Sequence, residues 1–154
     1  MAAHLLGTFA DQPRVGTIEG LDPETYLVRQ RDCFVDCRGR GMLEIDDDTT
    51  WGHEVRIITQ THNPLPGQRG DVQDRPVRVC KGAFIGAFVL LYNCEIGAGA
   101  IVACGTVVRS MVVPPGVMVE GNPARIIKRL DAAAGCWVTL RNPQTWNRIG
   151  KFWT

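Results

Sequence analysis

The chain has 154 residues, a formal net charge of +1, 45% hydrophobic residues and 21% charged residues. That length fits one domain with a core of its own, and the near-neutral charge lacks the basic excess that binding to nucleic acid requires. Seventeen glycines against 7% aromatic residues favour a tightly turned backbone over a helical bundle.

The first 32 residues are predicted to form an N-terminal segment with one short helix. Asp22 suits the N-cap of this helix and Pro23 its first helical position. Residues 1–13 lack an early Lys or Arg and a long apolar stretch, which argues against a secretory signal and predicts a cytoplasmic location. Without such a signal, the six cysteines are most simply reduced, small, buried residues. Cys33 and Cys37 have no second Cys or His pair at zinc-finger spacing, so no metal site is predicted.

Large apolar residues recur at six-residue steps through the middle of the chain. They are Ile45, Trp51, Ile57, Val79, Ile85, Leu90, Ile96, Val102 and Val108. A six-residue period matches neither a helix nor an alternating strand. It matches a triangular solenoid in which each flat face uses one hexapeptide and three hexapeptides close a turn. The five-residue step from Ile85 to Leu90 is either a register slip at one corner or a change in which residue points inward.

Three stretches need an interpretation besides the hexapeptide pattern. Residues 82–108 carry Glu95 as their only charge, a length that could span a membrane, but five glycines and the hexapeptide period explain them better and no span is predicted. Residues 61–75 are rich in Pro, Gly and charge and are predicted to form a loop thrust out between two coils. Residues 126–134 are predicted to form a short helix ended by Gly135.

Three segments resemble a known family. They are residues 45–63, which end in Ile-Ile-Thr-Gln-Thr-His-Asn, the hexapeptide run over 77–109, and residues 113–127, which contain Gly-Asn-Pro-Ala-Arg. Together they resemble the left-handed parallel β-helix acyltransferases, in the group of galactoside and maltose O-acetyltransferases and polysaccharide-modifying acetyltransferases. The resemblance implies an all-β fold with short terminal helices: a left-handed β-helix over 33–127 with an extruded loop at 63–75, followed by a C-terminal helix and tail over 128–154.

The resemblance also implies an activity. We expect an acetyl-CoA-dependent O-acetyltransferase of polysaccharide biosynthesis, a homotrimer that acts on a hydroxyl of a sugar or saccharide-containing acceptor, with acetyl-CoA as acyl donor and no metal. An N-acetyltransferase of an amino- or nucleotide-sugar and a non-catalytic solenoid scaffold remain open. A carbonic anhydrase on this solenoid needs three zinc-binding histidines, and His62 alone is well placed. Serine acetyltransferases carry a substantial N-terminal helical domain, which weakly favours a sugar acceptor here.

His62 is the candidate catalytic residue. Acetyl transfer to an alcohol needs a base for the hydroxyl proton, and the unperturbed pKa of histidine lies closest to neutral. The chain has only three histidines, and His62 lies where a coil gives way to the loop. His53 is off the inward position of its hexapeptide and is expected to face solvent or a neighbouring subunit. Cys94 or Cys104 could form an acyl-enzyme, but neither has a histidine near it in sequence, so direct transfer is predicted.

The other candidate site residues come from the resemblance, position by position. Asp36 falls roughly where relatives place a polar residue that contacts the acceptor, although a solvated turn carboxylate fits as well. Phe84 stands where several relatives carry a Trp beside the coenzyme arm, and it keeps the apolar surface without the indole donor. Ala87 and Cys104, at solenoid corners, are expected to offer mainly backbone groups to the pantetheine arm.

Three cations are candidates for the phosphates of the coenzyme. Relatives have a Thr-Lys pair where this chain has Arg109-Ser110, so the polar and basic residues are in swapped order. Arg125 and Lys128 follow the Asn-Pro-Ala segment and suit the ADP end of the coenzyme. For each cation, an ordinary solvated charge is the alternative.

Overall fold

The computed structural model describes residues 31–36, 43–68 and 70–140, and in these ranges it contains strands and no helix. The predicted helix at Asp22 and the last fourteen residues of the tail lie outside the described residues. The strands are β1 (Phe34–Asp36), β2 (Leu43–Ile45), β3 (Thr50–Trp51), β4 (Arg56–Ile58), β5 (Gln60–His62), β6 (Val72–Asp74), β7 (Val77–Val79), β8 (Phe84–Ile85), β9 (Leu90–Ile96), β10 (Ile101–Val102), β11 (Val107–Val113), β12 (Val117–Glu120), β13 (Arg125–Asp131) and β14 (Cys136–Thr139).

Parallel pairing of non-consecutive strands winds the chain into a solenoid with three faces. Face 1 contains β3, β8, β10 and β12, which pair in that order. Face 2 contains β1, β4 and the first halves of β9 and β11. Face 3 contains β2, β7 and the second halves of β9 and β11. We call the corner between faces 1 and 2 ridge 1, and the corner between faces 2 and 3 ridge 2.

The core is three rows of apolar side chains that point into the prism, one row from each face. All twelve are at most 1% exposed: Trp51, Ile85, Val102 and Val119 on face 1; Val35, Ile57, Leu91 and Val108 on face 2; and Ile45, Val79, Ile96 and Val113 on face 3. Burying one such side chain contributes about 1.5–3 kcal/mol, so a row repeated in every coil stabilises the stack along its whole length. The predicted hexapeptide solenoid is confirmed.

The register on face 2 differs from the expectation by one residue. Leu91 points inward and is fully buried, whereas Leu90 is half-buried on the outer side. The five-residue step therefore runs from Leu91 to Ile96 and crosses ridge 2, one corner later than predicted. The cause is a corner turned by a single residue with positive φ: Asn93 at 47°, and Ser110 at 50° in the next coil.

The extruded loop leaves the solenoid at ridge 2. Thr59 occupies the corner position that Asn93 occupies one coil later, and residues 60–76 are inserted directly after it. β5 and β6 pair as an antiparallel hairpin, and the Arg75 N–H donates to the Thr59 carbonyl at 2.6 Å to close its base. The predicted loop is thus an ordered hairpin on a corner of the solenoid.

The predicted helix over residues 126–134 is wrong. The chain instead turns back as β13 and β14, which extend face 1 with antiparallel pairing. Ile126 packs into the core opposite Val119, so this stretch follows the period of a strand. Gly135, expected to end a helix, lies in the hairpin turn with φ 61°, and the Asp131 carboxylate accepts from two backbone N–H groups of that turn.

No helix among the described residues is long and apolar enough to cross a membrane. The weakly charged stretch over residues 82–108 forms strands and corners of the solenoid.

The register on face 2 predicts a difference between two neighbouring leucines. Leu91→Ala should lower the free energy of unfolding by about 2–5 kcal/mol, because it empties an inward position. Leu90→Ala, the matched control on the outer side of the same strand, should cost about 1 kcal/mol. Urea unfolding of both variants measures the two losses, and a larger loss for Leu90→Ala would contradict the register.

Candidate active site

His62 ends β5 on the exposed side of the hairpin. It pairs with Val72 of β6, and both side chains are exposed. Thr61 and Gln73 form the neighbouring pair, and both are half-buried. Because side chains alternate along a strand, the two pairs lie on opposite faces of the ribbon. His62 therefore belongs to the exposed face.

Arg75 shows which face of the hairpin is turned toward the solenoid. Its Nε donates to the Tyr92 hydroxyl of the next coil at 3.1 Å, and its guanidinium also donates to the Gln73 side-chain oxygen. The Gln73 face is thus turned toward Tyr92, and the His62 face is turned away from it. Within the described ranges, no group hydrogen-bonds to the His62 ring, which leaves both ring nitrogens available to a substrate.

His53 lies at ridge 1, and one of its ring nitrogens is already occupied. Arg31 Nη1 lies 3.2 Å from His53 Nε2. Since a guanidinium carries only donors, Nε2 accepts this hydrogen bond. Of the two described histidines, His62 has the freer ring.

Ridge 1 offers backbone donors at two successive coils. Among the described residues, the N–H groups of Ala87 and Cys104 make no hydrogen bond, and the neighbouring Phe88 side chain is 68% exposed. The coils approach closely here, since a Cβ on Gly86 would lie 2.7 Å from the Cys104 nitrogen. N–H groups without a hydrogen bond, beside small side chains, are of the kind that the amide-bearing arm implied by the resemblance would use.

Two of the candidate coenzyme residues share one row on the outer side of face 1. The register runs from Phe84 through Ile101 and Met118 to Lys128. Phe84 is 44% exposed and Lys128 is half-buried. Arg125 begins β13, just beyond the last turn of ridge 1, and its Nη1 donates to the Ala124 carbonyl at 3.3 Å. Arg125 and Lys128 thus lie on one strand, at the C-terminal end of the solenoid.

Arg109 lies elsewhere. It is on the outer side of face 2 next to ridge 2, with its guanidinium carbon 5.8 Å from the centroid of the Tyr92 ring. The structure therefore does not bring Arg109 together with Arg125 and Lys128 on one chain. Asp36 is in the same row as Arg109, since its backbone pairs with Ile58 and Ile58 pairs with Tyr92.

The described residues contain no group of three His, Cys, Asp or Glu side chains arranged to hold a metal ion. His53 lies at ridge 1 and His62 lies on the hairpin at ridge 2, so the two side chains are at opposite edges of face 2 and do not converge.

Comparison with known proteins agrees with this architecture. No protein-family model matches the chain. Serine acetyltransferase 4 of Arabidopsis thaliana is 35% identical over 122 residues, which are 78% of this chain and 33% of that protein. A maltose O-acetyltransferase from Clostridium difficile 630 superposes with a TM-score of 0.56 at 27% identity, over 64% of this chain and 52% of that one. A hexapeptide-repeat acetyltransferase from Vibrio cholerae, in complex with acetyl coenzyme A, gives 0.52 at 28% identity over 57% and 50%.

In sequence and in fold, the chain is similar to hexapeptide-repeat acetyltransferases. Together with the parallel solenoid described above, this similarity confirms the predicted left-handed parallel β-helix. This hexapeptide-repeat chain spans about a third of the length of the plant relative and about half the length of the two solved proteins.

Two cysteines of this hexapeptide-repeat chain were considered as acyl carriers, and their surroundings do not favour that role. Cys94 is fully buried, and desolvation raises the pKa of its thiol to about 12. Cys104 and Cys136 are exposed, so the expectation of buried cysteines is wrong for these two. Cys104 lies at ridge 1, across face 2 from the hairpin that carries His62. Among the described residues, no histidine hydrogen-bonds to either thiol, as an acyl-enzyme mechanism would require.

Burial of Cys94 predicts its reactivity. At pH 8 a thiol with a pKa of about 12 is about 10⁻⁴ ionised, and alkylation proceeds through the thiolate. Iodoacetamide added to the folded chain should therefore modify Cys104 and leave Cys94 unmodified until denaturant is added. Peptide mass spectrometry locates the labels, with Cys104 as the internal positive control. Rapid labelling of Cys94 in the folded chain would contradict its placement in the core.

Proposed function

We propose that this chain is an acetyl-CoA-dependent O-acetyltransferase in which His62 is the general base. One observation carries the proposal: on the exposed face of the hairpin, His62 has an imidazole ring free of hydrogen bonds within the described ranges. Similarity to acetyltransferases in sequence and in fold supports the reaction class, and acetyl-CoA in the Vibrio cholerae structure supports the donor.

The chemistry needs one proton to move twice. His62 accepts the proton of the acceptor hydroxyl as its oxygen bonds to the thioester carbonyl carbon. As the carbon–sulfur bond breaks, the imidazolium returns that proton to the leaving sulfur, so the base is regenerated. A backbone N–H near the base stabilises the negative oxygen in between, as preorganised donors do in acyl transfer.

Ridge 1 and its C-terminal end are the proposed site of the acyl donor. The unpaired N–H groups of Ala87 and Cys104 bind the amides of the pantetheine arm, and Phe84 offers an apolar surface beside it. Arg125 and Lys128 bind the phosphates at the ADP end. Arg109 is the alternative phosphate ligand, from the far edge of face 2.

The distance between the base and the donor site supports a site shared between subunits. The hairpin leaves at ridge 2, and the backbone from Phe88 on ridge 1 to Asn93 on ridge 2 spans roughly 16 Å at about 3.3 Å per residue. Reacting atoms must come within about 3–3.5 Å. We therefore propose that ridge 1 of a neighbouring subunit brings the thioester to His62, and the resemblance makes the assembly a trimer.

The acceptor is proposed to be a sugar or saccharide-containing alcohol, with Asp36 among the residues that contact it. The likeness to a maltose O-acetyltransferase supports this class. A serine hydroxyl is the second candidate, because the chain is 35% identical to a serine acetyltransferase. Both acceptors are alcohols and place the same demand on His62.

A coupled assay tests the proposal and separates the two acceptors. The purified chain and acetyl-CoA are incubated with a panel of mono- and disaccharides, with amino sugars and with L-serine, and release of free thiol is measured. We expect turnover with a saccharide alcohol. Turnover with serine alone would move the acceptor to the second candidate, and turnover with amino sugars alone would indicate an N-acetyltransferase. Absence of turnover together with absence of a thermal shift by coenzyme A would favour a scaffold subunit.

His62→Ala should lower kcat by about 10²- to 10⁴-fold, because a positioned base contributes that much. Binding of coenzyme A, measured by calorimetry, should stay near its original affinity. His53→Ala is the matched control and should keep most of the activity, as should Cys94→Ala and Cys104→Ser. Near-normal turnover of His62→Ala would show that the base was assigned to the wrong residue.

The subunit arrangement is tested by mass. Multi-angle light scattering should give three times the 17.0 kDa of one chain at concentrations at which the protein is active. A monomeric mass with full activity would refute a site shared between subunits.

A further inference from the structure

Tyr92 is contacted from both neighbouring elements on the outer side of face 2. Its hydroxyl accepts the hydrogen bond from Arg75 Nε at 3.1 Å. The Arg109 guanidinium of the following coil lies over its ring, 5.8 Å from the centroid. Tyr92 thus sits between the base of the hairpin and a candidate coenzyme residue.

The Arg75 guanidinium holds strand β6 as well as Tyr92. Its Nη1 donates to the Asp74 carbonyl at 2.9 Å, and its Nη2 donates to the Gln73 side chain. Because the guanidinium is planar and rigid, three acceptors bound at once fix the angle at which β6 meets the next coil. The position of His62 follows from that of β6, since His62 pairs with Val72 of that strand.

Two further side-chain hydrogen bonds of the hairpin shape its tip. Asn63 Nδ2 donates to the Gln68 side chain at 2.7 Å, and Asn63 Oδ1 accepts from the Leu65 N–H at 3.0 Å. These bonds hold the turn but do not connect it to the solenoid. The bond between Arg75 and Tyr92 does make that connection.

We propose that Arg75 and Tyr92 are positioning residues for His62, which together set the pose of the hairpin and so the place of the imidazole in the site shared with a neighbour. This inference rests on the proposed function, because it assigns a role relative to the catalytic base. The bond matters for rate because a misplacement of about 1 Å of a reacting group can cost about 10²-fold.

The test is the removal of one oxygen atom. Tyr92→Phe keeps the ring beneath Arg109 and removes only the acceptor for Arg75. We expect kcat to fall by about 10- to 100-fold, while the KM for acetyl-CoA and the melting temperature stay close to the original values. Arg75→Lys keeps the charge, but a single ammonium cannot span the three acceptors, so it should show the same loss.

Arg78→Lys is the matched control. Arg78 lies on face 3, where it pairs with Glu44 at 3.4 Å and with Asp46 at 4.0 Å, away from the hairpin. The kcat of the Arg78→Lys variant should be unchanged. A kcat as low as that of Arg75→Lys would show that the losses are general effects of replacing an arginine of the solenoid by lysine and would overturn the proposal.

A double-variant cycle separates positioning from other roles. In the His62→Ala background, Tyr92→Phe should cause no further loss, because there is no base left to position. If Tyr92→Phe lowers the residual rate by the same factor as in the original chain, Tyr92 acts on something other than His62 and the proposal is wrong.

Hydrogen exchange gives a readout that does not require turnover. The Asn63 N–H bonds to the Asp71 carbonyl and the Arg75 N–H to the Thr59 carbonyl. In Tyr92→Phe, these hairpin amides should exchange about tenfold faster, while those of Leu90–Ile96 stay unchanged. If the original chain shows no acetyl transfer but this exchange effect is present, the proposed function fails, while the role of the Arg75–Tyr92 bond in holding the hairpin is retained. Unchanged exchange, or faster exchange with an unchanged kcat, would overturn the positioning role.

Discussion

The corner between faces 2 and 3 is the constraint on which the rest of the structure depends. A single residue turns the chain there: Asn93 and Ser110 do so with positive φ, and the Asn93 side chain donates to Ser110 at 3.3 Å along the ridge. A corner this tight shortens the step between inward residues to five and aligns the coils. In the coil before, Thr59 occupies the same corner position. The hairpin is inserted directly after it, and the rows of inward side chains on both sides keep their register.

The faces of the prism have different surfaces. Face 3 carries a polar row in which Glu44, Arg78 and Glu95 lie side by side, which suits contact with water. The outer row of face 1 from Phe84 to Met118 is apolar, and Phe88 at ridge 1 is largely exposed. The proposed base, carried at ridge 2, and the proposed donor site, at ridge 1, border face 2 from its two sides. One chain therefore holds both parts of the proposed transferase site but does not bring them together, which is the physical reason for proposing a site shared between subunits.

Several features could be predicted because they depend on local sequence. The inward hexapeptide positions follow from apolar side chains at a fixed spacing, and His62 was singled out by its motif and its place before the loop. The register at Leu91 could not be predicted, because Leu90 and Leu91 are chemically equal and only the geometry of the corner chooses between them. The strand β13 was missed because residues 126–134 have good helix formers, and packing of Ile126 on the last coil overrides that propensity.

The sequence by itself determined the solenoid, its apolar rows, the place of the extruded loop and the candidate base, since all of these are patterns of side chains along the chain. Tertiary structure alone decided the face on which His62 lies, the contact of Arg75 with Tyr92, and the separation of Arg109 from Arg125. Those outcomes join residues from different coils. Their spacing in sequence carries no signal, because stacking of coils sets which residues meet.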